Sequence, residues 1–347
     1  MHFRACHSYS VCLPCRRTRR ICRLRVIIPV AGYGSRLRPH TYSTNKSLIH
    51  VAGKPILSHV LEPVVPLQPK EVIFVIGFRG EEVQEYVERN YSFKSTFIRQ
   101  TKLLGLGYAV SLALDAVPNE PALVLLGDTI VELDLRKFVA AGDSVLGLHE
   151  VADPHRFGIA NVRDGHILGL EEKPTHPNGN LAVVGLYYFR QPAAIRRALD
   201  QLLESGRTTR GEIQFTDALQ QLIESGERFV PYHIDSWHDC GKRETVLETN
   251  RYLLAKMPLP APIEGSKIVP PVYVAPDARV TNCTLGPYTS ISSGAIVQNS
   301  TIRNSIVSPD ARIADAVLED SLIGANALVS GCTGRLNIGD SSEVIIT

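Results

Sequence analysis

The sequence has no Asp or Glu before Glu62 and no histidine after His238. Nor does any apolar run approach the roughly 20 residues that a membrane-spanning helix needs. The longest runs, such as Pro121 to Leu126, stop at a glycine or a charge, so no membrane association is expected. Net charge is nearly absent, with 37 Lys and Arg against 35 Asp and Glu in 347 residues, a formal +2. Such a balance calls for no polyanionic partner, and no nucleic-acid ligand is expected. Hydrophobic residues at 44% and charged residues at 21% exclude global disorder and supply a sizeable core. The length predicts two domains. Outside the first 25 residues the only cysteines are Cys240, Cys283 and Cys332, far apart in the chain. This usage points to a reducing, cytoplasmic setting.

The missing acids leave the first 61 residues with eleven Lys or Arg and no opposing charge. Residues 1–25 hold seven of those arginines and four of the seven cysteines, without helical or strand periodicity. They read as a disordered Arg/Cys-rich leader outside the fold. Cys12-Leu-Pro-Cys15 has half the spacing of a zinc site, but no second cysteine or histidine pair follows at zinc-finger distance. The leader also lacks the apolar centre of a secretory signal. An organellar transit peptide fits it, and so does an upstream start codon on a chain that begins near Val26.

Regular patterning starts at Val26 and marks a first domain over residues 26–257. Val26 to Val30 is an apolar strand closed by Gly32 and Gly34, Pro55 to Val65 reads as a helix, and Glu71 to Ile76 is again a strand. Gly80 to Asn90 and Leu106 to Val117 read as helices, Thr96 to Ile98 and Ala122 to Leu126 as strands. This alternation predicts an α/β domain with a parallel sheet and ligands at the carboxyl ends of its strands. Gly32 to Arg36 should therefore converge on Asp128. Later, Asp164-Gly165 marks a hairpin between Ile159 to Val162 and His166 to Leu170, and Leu181 to Phe189 is another strand. Helices are expected near Pro192 to Ser205, Glu212 to Ser225 and Lys242 to Met257, with a strand near Arg228 to Ile234.

A different grammar governs residues 263–347, beyond a Pro-rich link. Apolar residues recur every five or six positions, at Val274, Val280, Leu285, Ile291, Val297, Ile302, Val307, Ile313, Leu318, Ile323 and Val329, with small residues between. A β-sandwich would alternate every second residue. The longer period predicts a hexapeptide-repeat parallel β-helix, each apolar residue pointing into a narrow core.

The first chemical motif is Gly32-Tyr-Gly-Ser-Arg36-Leu-Arg-Pro39, followed by Lys46 and Gly53-Lys54-Pro55. A glycine turn after a buried strand lets backbone N–H groups approach phosphate oxygens, and nearby cations neutralise them. No G-K-[ST] follows, so this is not the common P-loop, and the dinucleotide fingerprint also fails. The acid-free surroundings suit a polyphosphate; a solvated basic loop is the plain alternative.

Gly32 to Pro55 resembles the signature of the sugar-1-phosphate nucleotidyltransferases, the NDP-sugar pyrophosphorylases. Gln100 with Gly105, Gly127-Asp128, Glu172-Lys173-Pro174, Val184-Gly185-Leu-Tyr-Tyr, Gly211 to Asp217 and Trp237-His-Asp239-Cys-Gly241 follow in the family's order. With the β-helix, the likeness covers about residues 26 to 340 and is nearest to the long glucose-1-phosphate thymidylyltransferase-like members. It implies a Rossmann-like nucleotidyltransferase domain with a mixed, mainly parallel sheet, followed by a left-handed parallel β-helix. The implied reaction joins a nucleoside triphosphate, dTTP or UTP, to a hexose-1-phosphate such as glucose-1-phosphate, giving an NDP-sugar and pyrophosphate. The attacking phosphate oxygen is already anionic, so positioning and charge neutralisation suffice without a general base.

By the same resemblance, Ala31, Gly32, Gly34, Ser35 and Arg36 hold the nucleotide, with Arg36 on the leaving pyrophosphate and Lys46 on the nucleotide phosphates. Gln100 and Gly105 meet the base. Lys173 takes the sugar phosphate, Glu172 accepts from sugar hydroxyls, and Gly158 and Gly185 let the chain pack against the hexose. Asp128, at a strand end, and Asp239, in a turn after Trp237, hold Mg²⁺, a hard ion suited to carboxylate and phosphate oxygens. Two departures stand out: Asn45 where many members have Pro, and Thr129 where many have Asn, the second bearing on which sugar is used. A catalytically silent relative serving assembly or sensing would have lost the charged residues, and all five are present. A bifunctional enzyme with an acyltransferase tail would need a base there, and no histidine follows His238. The tail is expected to be structural, capping the domain and making a homo-oligomer.

Overall fold

The structure, a computed structural model, describes residues 23–117 and 120–346. The expected leader lies outside the described residues as far as residue 22. Its boundary after Arg25 falls inside the fold: Leu24 is buried in the core and the first strand, β1, spans Arg25–Val30. A loop with three short 3-10 turns, Ser35–Leu37, His40–Tyr42 and Lys46–Leu48, follows. Next come the two-residue strands β2 (His50–Val51) and β3 (Lys54–Pro55) and helix α1 (Ile56–Leu61). This helix is shorter than expected because Pro63, lacking a backbone N–H, cannot extend it.

The alternation then runs as predicted through β4 (Glu71–Ile76), α2 (Gly80–Asn90), β5 (Ser95–Arg99), α3 (Leu106–Asp115) and β6 (Ala122–Leu125). Three elements that periodicity did not show come next: β7 (Thr129–Val131), α4 (Leu135–Ala140) and β8 (Ser144–Glu150). The hairpin β9 (Gly158–Arg163) and β10 (His166–Glu172) leads to β11 (Leu181–Phe189), α5 (Ala193–Ser205), α6 (Phe215–Glu224), β12 (Val230–His233), β13 (Trp237–Asp239) and α7 (Arg243–Leu254).

The main sheet has nine strands. Its path is β10-β9-β11-β6-β1-β4-β5, with β8 also on β11 and β12 on β8. The central strands β6, β1, β4 and β5 are parallel, and β11 is antiparallel to β6. Because central strands are covered on both faces, they read as unbroken apolar runs. Successive residues serve opposite layers: Val26 and Ile28 join one buried cluster and Ile27 the other, as do Phe74 against Ile73 and Val75.

Residues beyond 262 wind into a left-handed parallel β-helix of three five-stranded sheets. Pairing steps Lys267 to Thr284 to Thr301 and then on to Val317 and Thr333. The apolar residues from Leu285 to Val329 fill its interior, all essentially inaccessible; Val274 and Val280, on the first coil, are only half-buried. Corner residues Asn282, Asn299 and Asp315 have φ of 52°, 47° and 52°, a left-handed conformation that short polar side chains tolerate. They also bond in a ladder, Asn282 Nδ2 to Asn299 Oδ1 at 2.9 Å and Asn299 Nδ2 to Asp315 Oδ1 at 3.1 Å.

The two domains share buried structure. Ile306 and Leu322 of the β-helix belong to one core cluster of the α/β domain. Asn250 of α7 is fully buried; its Oδ1 accepts from Ala52 N at 2.8 Å and Ser290 Oγ at 2.7 Å, and its Nδ2 donates to Tyr288 O at 3.3 Å. Among the described residues no helix is long and apolar enough to cross a membrane.

Near this junction His50 and His59 are kept neutral. Burial, followed by the His59 charge for His50, lowers both rings from 6.5 to about 4. The unfolded chain therefore binds protons that the folded one refuses, so stability is full above pH 6.5 and declines as pH falls toward 4. Chemical denaturation between pH 7 and pH 4.5 should lose on the order of 5 kcal/mol from this pair. The decline should be flatter in His59→Gln; an identical slope in that variant would place the acid sensitivity elsewhere.

Candidate active site

The carboxyl ends of β1 and β6 open into a cleft of about 720 Å³. Glycines make this approach possible: a Cβ on Gly127 would lie 2.3 Å from Val30 Cγ1, whereas one on Gly32 would meet nothing within 4 Å. Gly32 thus presents bare backbone to the cleft. Gly34, at φ +61°, turns the chain so that the loop folds back on itself, with Thr41 and Lys46 packed where its side chain would be. Thr41 Oγ1 donates to Gly34 O at 2.9 Å.

Two cations of this loop face two carboxylates. Lys46 Nζ contacts Asp128 Oδ2 directly. Arg36 lies beside Gly241, where a Cβ would sit 3.0 Å from Arg36 Nη2 and 2.8 Å from Asp239 Oδ1. Asp239 is in β13, which pairs with β7 so that Asp239 lies opposite Thr129. The turn expected there is a strand, because His238 and Asp239 find ladder partners far back in the chain. Cys240 N donates to Asp128 O at 2.9 Å and locks the two acids side by side.

Their acidities diverge. Burial works against the Asp128 charge, but Lys46 and then Arg36 outweigh it and hold this carboxyl below its ordinary value. Burial and then the Asp128 charge push Asp239 up, despite Lys46, Arg36 and Arg156. Two acids repelling across a cleft form a site that gains from a divalent cation. Among the described residues no group of three or more His, Cys, Asp or Glu side chains gathers to hold a metal. The two carboxylates are hard oxygen donors, which fit a divalent cation that takes its other ligands from phosphate oxygens and water.

Across the cleft, Lys173 follows β10 with φ +45°, held by its N–H on Phe157 O at 2.9 Å and by Arg210 Nη2 on its carbonyl at 2.8 Å. Lys173 Nζ pairs with Glu172 Oε1 at 3.0 Å, and Thr216 Oγ1 donates to Glu172 Oε2 at 2.8 Å. Gly158 is the space this last bond needs: a Cβ there would lie 3.0 Å from Thr216 Oγ1 and 3.1 Å from Glu172 Oε2. At the other end Gln100 is buried, its Nε2 at 3.5 Å from Gly105 O, and Gly105, at φ +101°, starts α3 against Glu212 and Ile213.

Every residue given a site role by the resemblance lines this cleft except Gly185; of the first motif's cations, Lys54 lies outside it and pairs with Glu62. Gly185, at φ +83°, sits where β11 bends, and a Cβ there would meet Leu126 rather than a ligand. Leu126, Val183 and Val184 around it do line the cleft. Asn45 also has its explanation: its Oδ1 accepts from Ser47 N at 3.0 Å, and its Nδ2 donates to Val30 O at 3.1 Å and Phe78 O at 2.9 Å. It caps the Lys46 turn and ties it to β1, while its N–H, which Pro would lack, donates to Glu82 Oε2 at 3.1 Å. Thr129 is buried and lines the cleft beside Asp128.

Sequence reasoning missed Arg156 and Arg210. Arg156 Nη2 lies 3.3 Å from Asp239 Oδ2, 83 residues away, and its guanidinium rests over the ring of the adjacent Phe157 at 5.1 Å. Trp237, the single tryptophan, also lines the cleft, with a buried Nε1 that has no protein acceptor.

Residues 25–256 match the family model described as nucleotidyl transferase. The chain belongs to that family. Over 93% of its length this nucleotidyl transferase is 33% identical to the whole of a glucose-1-phosphate thymidylyltransferase of Streptomyces griseus. It is 30% identical to the bifunctional protein GlmU of Methanocaldococcus jannaschii, over 86% of this chain and 77% of that one. Among solved structures, a Bacillus anthracis protein assigned as a glucose-1-phosphate thymidylyltransferase, in complex with a sucrose, superposes with a TM-score of 0.59 at 27% identity. The match covers 69% of this chain and 98% of that one.

A methyl group at Gly158 would press on the Glu172–Thr216 bond without touching the core. Gly158→Ala should lower kcat/KM about tenfold through displacement of Glu172 and Lys173, with the melting temperature nearly unchanged. Steady-state kinetics beside a thermal melt checks this, and unaltered kcat/KM would show that Thr216 yields freely.

Proposed function

We propose that this chain transfers a nucleotidyl group from dTTP or UTP to a hexose-1-phosphate, glucose-1-phosphate foremost, and releases pyrophosphate. One observation carries the reading: Arg36, Lys46 and Lys173 converge with the Asp128 and Asp239 carboxylates in a single cleft whose floor is bare glycine backbone. The names of the Streptomyces relatives support the same substrates. A sugar-phosphate oxygen attacks the α-phosphorus, the bond from that phosphorus to the bridging oxygen breaks, and pyrophosphate leaves with the electron pair. The nucleophile arrives deprotonated, so catalysis consists of alignment and charge neutralisation.

In this reading Arg36 forks onto the departing pyrophosphate and Lys46 exchanges part of its contact with Asp128 for nucleotide phosphates. Lys173, set by Phe157 and Arg210, fixes the sugar phosphate, and Glu172, already oriented by Thr216, accepts from sugar hydroxyls. Gln100 presents a donor and an acceptor to a pyrimidine edge. Asp128 and Asp239 hold Mg²⁺, which when bound neutralises phosphate charge. The GlmU relatives are named as bifunctional, but the β-helix here has no histidine to serve as a base, which favours a structural tail. We place the protein in the cytoplasm, in line with its unpaired Cys240, Cys283 and Cys332.

The test is pyrophosphate release with Mg²⁺ and glucose-1-phosphate against dTTP, UTP, GTP, ATP and CTP separately. Release with one or both of the first two is expected, and Asp128→Asn, which keeps the side chain's size and an oxygen for Lys46, should abolish it while the chain still folds, at lower stability. Silence with every nucleotide and with other hexose-1-phosphates would favour a binding relative; activity retained in Asp128→Asn would move the metal site.

We further propose a homo-oligomer through the β-helix, on which Val317, Ile345 and Ile346 are exposed. Light scattering should give a multiple of 38.1 kDa, falling when Val317 and Ile345 are replaced by Glu. A mass of one chain would overturn this assembly.

A further inference from the structure

The loop carrying Arg36 and Lys46 leaves β1 at one end, is tied to the α/β domain through Asn45 at the other, and closes on itself where Thr41 Oγ1 donates to Gly34 O. Its middle is fixed from elsewhere. Pro39 to Ser43 rests on the last coil of the β-helix, almost three hundred residues later in the chain. His40 Nε2 bonds Asn337 Oδ1 at 2.9 Å and Ser43 Oγ donates to Asp340 Oδ2 at 2.5 Å. His40 is buried, 4% exposed, so no water replaces Asn337 without rearrangement. Gly339 lies flat on Pro39: a Cβ at residue 339 would be 3.1 Å from Pro39 Cβ and 3.3 Å from its carbonyl oxygen.

The coil side of this contact is built to be stiff. Asp340 uses its second oxygen, Oδ1, to accept from Ala325 N at 2.8 Å, and Ser341 N donates to Ala325 O at 2.7 Å. Gly324 leaves no room for a side chain, since a Cβ there would be 2.3 Å from Gly339 C. The segment from Gly339 to Ser341 is thus locked to the coil beneath it before it meets the loop. His40 and Ser43 stand four residues after Arg36 and three before Lys46, so what holds them limits where both cations point.

We propose that Asn337 and Asp340 are positioning residues of the active site, acting through His40 and Ser43 on Arg36 and Lys46. The β-helix in this view supplies the third anchor of the phosphate loop and does more than cap or assemble the enzyme. The proposal rests on the nucleotidyl-transfer reading above only for its kinetic consequence; the mechanical part stands by itself.

The experiment joins two readouts on the full chain: hydrogen exchange of residues 35–48 by mass spectrometry, and kcat with KM for the nucleotide. In Asn337→Ala and Asn337→Ala/Asp340→Ala the loop amides should exchange at least tenfold faster, while the coils before residue 320 keep wild-type protection. In the double variant kcat should fall about tenfold to a hundredfold, more than KM rises, as expected when aligned charges lose their support. Asn337→Asp, which keeps an acceptor for His40, should recover most of the kcat. Asn282→Ala, in the ladder of the first coil, should change neither readout. Wild-type exchange and kcat in the double variant would overturn the proposal, as would a kcat loss accompanied by global unfolding that the single variant and Asn337→Asp share. If the wild-type protein released no pyrophosphate yet the loop loosened in the double variant, the brace would stand and the functional reading would fall.

Discussion

The contact between Lys46 and Asp128 is the bond on which the cleft depends. It joins the acid-free first segment of the chain to the end of β6 and sets the loop over the sheet at the point where strand order turns. The same pattern recurs along that segment: Arg25 pairs with Glu71 and Glu120, and Lys54 with Glu62. In each of these pairs an early cation is met by an acid from later in the chain. Removing one member of a partly buried pair leaves an uncompensated charge and is far costlier than the pair's net contribution suggests.

Around that bond the acids are differentiated by their neighbours. Asp128 has the two cations and is held charged; Asp239 has burial and a like charge against it. Nothing in the chemistry of either side chain alone sets this difference. It comes from β7 and β13, two three-residue strands whose pairing places one carboxylate against the other. Such short elements have no stability of their own, so the electrostatics of the cleft is a product of tertiary packing.

This also sets how much could be read from the sequence. The β-α alternation, the apolar runs of β1, β4 and β6 and the five-or-six residue period of the tail were legible because burial on both faces, or in a narrow prism, leaves a periodic trace. Their carboxyl ends then placed Gly32 to Arg36 near Asp128 before any contact was known. Elements α4, β7 and β13 left no trace, being too short for a period to show. A glycine in a motif does not announce what occupies the space of its missing side chain; at Gly185 it is Leu126. Arg156 and Arg210 act on Asp239 and on the Lys173 carbonyl across gaps of 83 and 37 residues, and no single-sequence pattern encodes such pairings. The Asn45 departure, by contrast, became intelligible only with its four bonds in view.

The His40–Asn337 bond spans 297 residues, and this gives the chain a timetable. Domains emerge and fold from the N-terminus as synthesis proceeds at about 5 to 20 residues per second. The α/β sheet can therefore close, once Asp239 has been made, while the β-helix is still unmade, and for about 5 to 20 s the nascent protein holds a formed cleft whose cationic loop lacks its β-helix contact. Non-local closure of this kind is slow in any chain. A ribosome-bound intermediate of this protein would thus be a near-complete fold with an incomplete centre, and competence would come with the final coil.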